Sequence, residues 1–289
     1  MRDWVRVHRL EYPFPVIYLC HALWGASFAA TTPADLIKIQ TIIAVVANLI
    51  PLVAQNLLNG ALDVEADSRT PGKGGIATAT LNLGRTKVIT VAFAEMAVAL
   101  GLASLVNVVC FTAVALGVLI ELAYNLEPVR LKRRGVLNPI FLGIHFSLLP
   151  CIGTYAALRN DFPIVIFGGI TLLLIARALW WSVPDLRADE ASGDRPLAVR
   201  HGARTAWLTA CAITAAGLLA IGAGLWWRHG PAWAIGVTLV CSMFLVDKLV
   251  VLRGLSDTRL PHEKRLRRVS LSFVLVADVT LVLTPLIAG

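Results

Sequence analysis

Nine runs of mostly apolar residues take up most of this chain: Pro15–Ala30, Ile37–Leu58, Lys87–Leu105, Val108–Ala123, Pro139–Leu158, Ile164–Val183, Ala206–Trp226, Ala232–Val246 and Ser270–Ala288. About 20 such residues carry a helix across a bilayer. Helices and closed barrels alone satisfy their backbone polar groups in hydrocarbon. The composition agrees, with 57% hydrophobic and 15% charged residues, against about 25% charged in soluble domains. The expected fold class is all-α, a polytopic membrane protein with nine transmembrane helices. Met1–Glu11 is charged and merges into the first run without a small-residue cleavage site, so no cleavable signal is expected.

The net charge is +8, but in a lipid-embedded chain the placement of cations matters more than their sum, and no nucleic-acid partner is expected. Short connections near residues 31–36, 106–107, 159–163 and 227–231 hold only Arg159 and Arg228 as basic residues. The long connections hold Arg69, Lys73 and Arg85; Arg130, Lys132, Arg133 and Arg134; Arg187, Arg195, Arg200 and Arg204; and Lys248 to Arg268. Arg2, Arg6 and Arg9 precede the first run. The positive-inside rule therefore expects the N-terminus and every long loop in the cytoplasm. The five cysteines all lie inside apolar runs and form no C-x-x-C pair, so they read as core residues.

Carboxylates near hydrocarbon are costly unless something offsets them. Yet the second run ends in Asn59-x-x-x-Asp63-x-x-x-Asp67, and the sixth ends in Asp185-x-x-x-Asp189. Four-residue spacing puts side chains on one helical face, and the first stripe would extend roughly 12 Å at about 1.5 Å per residue. Both stripes fall at the same expected face. Mg²⁺ favours a few carboxylates, retained waters and phosphate oxygens, so two facing stripes can hold two or more ions around a diphosphate. The plainer alternative is a pair of solvated helix ends. Between them, Tyr124, Pro128, Arg130 and Lys132 follow the fourth run. Lys132 as a point charge and Arg130 as a fork suit phosphate, and Tyr124 offers a ring face or a hydroxyl. Here the alternative is a basic membrane anchor with an interfacial tyrosine.

These motifs resemble those of the UbiA superfamily of intramembrane prenyltransferases. Asn59-Gly-Ala-Leu-Asp63-Val-Glu-Ala-Asp67 is similar to its first acidic motif, and Tyr124-x-x-x-Pro128-x-x-x-Lys132 to its Y-x-x-x-K-type loop. Asp185-Leu-Arg-Ala-Asp189-Glu-Ala-Ser-Gly193 with Leu197-Ala-Val-Arg-His-Gly202 is similar to its second motif and tail. Relatives that prenylate aromatic acids often carry Arg-Pro after the first motif. This chain has Arg69-Thr-Pro-Gly-Lys73-Gly-Gly75, closer to the lycopene-elongase-like branch, as is His145-Phe146. Pro196 stands where the family usually has Thr.

The resemblance covers nearly the whole chain and implies one transmembrane domain over 1–289, its helices ringed around a central cavity capped by cytoplasmic loops. It implies Mg²⁺-dependent chemistry on an isoprenyl diphosphate with a hydrophobic acceptor, an aromatic or quinone precursor or an isoprenoid. Asp63, Asp67, Asp185 and Asp189 would hold metal with Asn59; Lys73, Arg130 and Lys132 would hold the diphosphate beside Tyr124. A membrane terpene cyclase would share that site. A transporter would instead line a midplane pathway with polar residues, against the clustering of acids at one face. The repeated D-x-x-x-D also suggests a four-helix repeat, 15–123 and 139–246, followed by a last helix at 270–288.

Several polar residues lie inside the apolar runs. Arg177 sits two turns before Asp185; it pairs with the site carboxylates or an acidic acceptor, or makes a structural ion pair with Glu95 or Glu121. His21 and His145 are proton acceptors or hydrogen-bonded interior histidines. Asp278 is expected to bond a neighbouring helix. Trp180-Trp181 and Trp226-Trp227 fit interfacial belts, or Trp180 or Trp181 stabilises a cation. The Arg253–Arg268 cluster fits contact with anionic lipid.

Overall fold

The computed structural model describes residues 1–69, 74–192, 195–262 and 265–288. Its described residues form helices and no strands. A short α1 (Arg2–Val7) precedes α2 (Phe14–Ala29), and α3 (Ile39–Leu62) is followed by the short α4 (Val64–Arg69) and α5 (Gly74–Leu83). Then come α6 (Arg85–Ser104), α7 (Val108–Asn125), α8 (Leu137–Gly143), α9 (Leu149–Tyr155) and α10 (Ile164–Ser182). After α11 (Leu186–Ser192) and α12 (Leu197–His201), the chain closes with α13 (Ala203–His229), α14 (Pro231–Leu252) and α15 (Leu271–Ala288).

Among the described residues, eight helical segments are long and apolar enough to cross a membrane, one of them Leu137–Tyr155, which joins α8 and α9 through a π-helical turn at Ile144–Leu148. They correspond to eight of the nine expected spans. The remaining one, α2, is apolar but only 16 residues long. It is also heavily buried, packed against α3, α9 and α15. The second span begins two residues later than expected. Residues 33–37 form a 3₁₀ turn capped reciprocally by Thr32 and Asp35, which satisfies backbone groups that a helix start leaves open.

Small residues let the helices approach closely, the device expected where lipid and side chains are equally apolar. At the α10–α13 crossing, a Cβ on Gly169 would lie 2.8 Å from the Gly217 carbonyl oxygen and 2.7 Å from Ile221 Cγ1. A Cβ on Gly217 would likewise lie 2.8 Å from the Gly169 oxygen. Neither position has room for a larger residue. At the other end of the chain, α1 packs on α5, and His8 Nε2 lies 2.9 Å from Glu95 of α6. Burial works against protonating His8, but the Glu95 carboxylate and the Trp4 carbonyl outweigh it and raise the ring's pKa.

Trp180 departs from the interfacial belt. It is 1% exposed and packs between Trp207 and the Lys248 ammonium, which lies 4.0 Å from its ring centroid. Trp226 and Trp227 are exposed, as a belt requires. All five cysteines are free and buried.

Candidate active site

Both acidic motifs straddle a break in a helix rather than one straight face. α3 ends at Leu62 with Asp63 as its C-cap, and α4 starts at Val64. Helical hydrogen bonding still bridges the break: Asp63 N–H donates to the Asn59 carbonyl at 3.0 Å, and Asp67 N–H to that of Asp63 at 2.8 Å. In the second motif, Pro184 lies within a 3₁₀ turn, Val183–Asp185, between α10 and α11. Proline removes a backbone donor, while Val183 before it keeps helical angles, φ −64° and ψ −40°. Asp185 and Asp189 are half-buried, whereas Asp67 is buried.

Asp63 is the centre of the cluster. Lys132 Nζ lies 2.6 Å from its Oδ1 and 2.5 Å from its Oδ2, and 3.4 Å from Asn59 Oδ1. Arg130 Nη2 lies 3.4 Å from Asp63 Oδ1, while its Nη1 donates to Glu127 at 3.1 Å. Both cations come from the loop after α7. A 3₁₀ turn at Leu131–Arg133 presents Lys132, whose carbonyl accepts from Asn138 Nδ2 at 3.0 Å. Arg130 has φ +37°, a left-handed conformation that is costly for a residue with a Cβ. Residues held this way gather at functional sites.

Tyr124 lies in the last turn of α7. It lies beside Asn138 and within electrostatic reach of both Asp63 and Asp189. Arg9 reaches the same place. Its charge is felt by Tyr124 and by Tyr18, its φ is +53°, and its Nε is buried without a hydrogen-bond partner. In the sequence Arg9 is one of three basic residues before the first span, and nothing local marks it for the site, because the placement of α1 and α2 carries it there. Lys73 lies outside the described residues.

Arg177 belongs elsewhere. It forms a two-pronged pair with Asp278 of α15, Nη1 to Oδ2 at 2.9 Å and Nη2 to Oδ1. His21 Nε2 stands 3.5 Å from Asp278 Oδ2, and the His21 ring stacks on Trp24. Arg177 thus makes the structural ion pair, with Asp278 rather than with Glu95, Glu121 or the site carboxylates. Glu95 takes His8, and Glu121 is buried with both oxygens lacking hydrogen bonds. Trp181 is half-buried and meets Trp180 edge-to-face at 5.2 Å. His145 lies apart, on the π-helical turn between α8 and α9.

Among the described residues, no three His, Cys, Asp or Glu side chains come together as a cage for a metal ion. Carboxylate and carboxamide oxygens are the donors a hard cation prefers.

The family model of the UbiA prenyltransferase family matches residues 18–261. This chain belongs to the UbiA prenyltransferase family. A curated relative of this UbiA member is the C(50) beta-cyclic carotenoids biosynthesis protein LbtBC of Dietzia sp. (strain CQ4), 29% identical over 229 residues. The match covers 73% of this chain and 49% of LbtBC, so the chain spans about half that relative's length. Among solved structures, a UbiA homolog from Archaeoglobus fulgidus bound to DMAPP and Mg²⁺ superposes with a TM-score of 0.78 at 15% identity, over 99% of this chain and 98% of that one. A UbiA homolog from Aeropyrum pernix K1 gives a TM-score of 0.72 at 18% identity, over 95% and 97%. These likenesses establish the UbiA fold.

Proposed function

We propose that this protein is a Mg²⁺-dependent intramembrane prenyltransferase, moving an isoprenyl group from an allylic diphosphate to a hydrophobic acceptor. The observation that carries this reading is the convergence of Lys132 and Arg130 on Asp63, with Asn59 sharing Lys132 and with Tyr124 in electrostatic reach of both Asp63 and Asp189. The fold neighbour bound to DMAPP and Mg²⁺ supports it. Asn59, Asp63 and Asp67 on one side, with Asp185 and Asp189 on the other, would hold two or more ions. Bound there, Mg²⁺ neutralises the charge that builds on the leaving diphosphate.

The chain's own residues do the rest. Lys132 and Arg130, with Arg9 and Lys73, bind the diphosphate oxygens; the contact Lys132 makes with Asp63 is the one it would make with a phosphate. Tyr124 orients the head group. The apolar helices around the allylic carbon exclude water, so the electrophile meets the acceptor rather than solvent. By the positive-inside rule, this end of the bundle faces the cytoplasm.

The acceptor is an isoprenoid hydrocarbon rather than an aromatic acid. A buried carboxylate needs a cation, and the buried cations Arg177 and Lys248 are already matched to Asp278 and Asp247. The carotenoid relative points the same way. The test supplies purified protein in lipid nanodiscs with labelled dimethylallyl diphosphate and either lycopene or an aromatic acid. The expected result is Mg²⁺-dependent label in the polyene, abolished by EDTA and restored by Mg²⁺. Label in the aromatic acid would overturn the acceptor assignment, and hydrocarbon or terpene alcohol formed from labelled geranylgeranyl diphosphate without any acceptor would identify a cyclase instead.

A further inference from the structure

The turn that ends α1 has an arginine where such turns usually have glycine. The C-cap is His8. Past it, the Arg9 N–H donates to the Arg6 carbonyl at 3.0 Å, and the Leu10 N–H to the Val5 carbonyl at 2.9 Å. These are the two hydrogen bonds of a Schellman motif, whose first residue beyond the cap is left-handed and usually Gly or Asn. Arg9 holds that position with φ +53°. A residue with a Cβ is strained there, so the turn needs support from outside.

His8 supplies it. Its Nδ1 lies 2.7 Å from the Trp4 carbonyl oxygen and its Nε2 2.9 Å from Glu95 Oε1. A carbonyl and an ionised carboxyl only accept, so both ring nitrogens must donate, and imidazolium is the form with two N–H groups. Asn56 Nδ2 of α3 donates to the His8 carbonyl at 3.3 Å and to the Tyr18 hydroxyl at 3.2 Å. The turn is therefore tied to α6 by a side chain and to α3 by its backbone. Of the other charges around it, Arg6 lies 3.9 Å from Glu11, and Asp3 accepts from Asn82 of α5 at 3.3 Å. Lys87 of α6 stands over the Trp4 ring at 5.7 Å, and Glu121 of α7 is within electrostatic reach of Glu95. The α5 segment has no titratable side chain.

Beyond the clamp, the Arg9 charge acts on Tyr18 and Tyr124, and Tyr124 is in reach of Asp63 and Asp189. Arg9 Nε is buried without a hydrogen-bond partner. A buried donor of this kind calls for an acceptor, and diphosphate oxygens suit a guanidinium.

Resting on the diphosphate half of the prenyl-transfer reading, we propose that His8 is a positioning residue, whose imidazolium clamps α1 to Glu95 and holds Arg9 in the turn from which it meets the diphosphate. When the ring proton leaves, the Nε2 lone pair faces the Glu95 carboxylate. The clamp then opens, and Arg9 relaxes out of the strained turn. Burial opposes the charge, but Glu95 and the Trp4 carbonyl raise the ring's pKa above the ordinary 6.5. The clamp is thus complete below 6.5 and is lost as pH rises through the raised value.

The experiment measures the Kd of dimethylallyl S-thiodiphosphate, whose C–S bond resists cleavage, in nanodiscs at saturating Mg²⁺ from about pH 5.5 to about pH 9. Arg9→Gln is the reference, since pH dependence left in it belongs to the ligand and the metal. Wild type should bind about tenfold more tightly than this reference at low pH, and the difference should vanish as pH rises. His8→Gln, uncharged at every pH, should bind as weakly as Arg9→Gln throughout. His8→Gln combined with Arg9→Gln should bind no more weakly than either alone, because His8 acts through Arg9. In Glu95→Gln the carboxamide accepts from imidazolium or donates to neutral His8, so tight binding should persist to high pH.

A wild-type difference from Arg9→Gln that stays constant across the range, or a Glu95→Gln profile like that of wild type, overturns the clamp. Additive losses in the double variant overturn its route through Arg9. If the analogue binds with the expected profile while wild type never transfers the prenyl group of labelled dimethylallyl diphosphate, the prenyl-transfer reading falls and the clamp stands. Wild type that does not bind the analogue at any pH overturns both.

Discussion

Asp63→Asn should lower turnover about 100- to 1,000-fold at saturating Mg²⁺, the range seen when one preorganised electrostatic group is lost, with the protein still folded. Asp63 receives Lys132 on both oxygens and Arg130 on one. Asparagine has nearly the same shape and can still accept from Lys132, but it removes the charge on which both cations and any divalent ion depend. Lys132 is only 11% exposed, so it keeps a partial partner in Asn59 rather than a full one. The fold should survive because Asp63 lies at a helix end, where its backbone hydrogen bonds do not use the side chain. Steady-state turnover alongside thermal unfolding in detergent separates the two effects. Full activity in a folded Asp63→Asn protein would remove Asp63 from the site.

The second large effect concerns stability. Arg177→Met or Asp278→Leu alone should cost about 3–5 kcal/mol, because each leaves its partner as an unpaired buried charge. Native proteins hold only about 5–15 kcal/mol in reserve. Each single variant should therefore lose most of its monodisperse, folded material in a size-exclusion assay. The double variant, Arg177→Met with Asp278→Leu, should recover most of it, since a matched apolar pair removes both desolvation penalties. The pair joins α10 to α15 across 101 residues of sequence, and Trp24 Nε1 of α2 donates to the Asp278 carbonyl at 3.2 Å. It is the clip that ties the last helix to the bundle. Single variants that elute and melt like wild type would show that these helices do not depend on the pair.

Much of this was legible without coordinates. Membrane spans are read from apolar runs because hydrocarbon imposes one requirement on every backbone group, and eight of the expected spans are long apolar helical segments. The clustering of Asn59, Asp63, Lys132 and Arg130 follows from two short motifs at helix ends, and ion spacing along a helix is a local property. What could not be read is long-range. No periodicity pairs Arg177 with Asp278 rather than with Glu95 or Glu121; that choice depends on how α10 and α15 rotate against each other. The same holds for Arg9, which reaches Tyr124 only through the placement of α1 and α2. Trp180 looked interfacial because it sits near a helix end, but α13 and α14 fold over it. The breaks at Asp63 and Pro184 were hidden because D-x-x-x-D spacing looks the same on a straight helix and a bent one.

The most direct test of the whole picture is a structure of the full chain in lipid with an allylic thiodiphosphate and Mn²⁺ in place of Mg²⁺. The expected result is metal lying between Asp63 or Asp67 on one side and Asp185 or Asp189 on the other, bridged by the diphosphate, with Lys132 turned from Asp63 toward a phosphate oxygen. Metal held by one motif alone, or a diphosphate bound away from both, would contradict it.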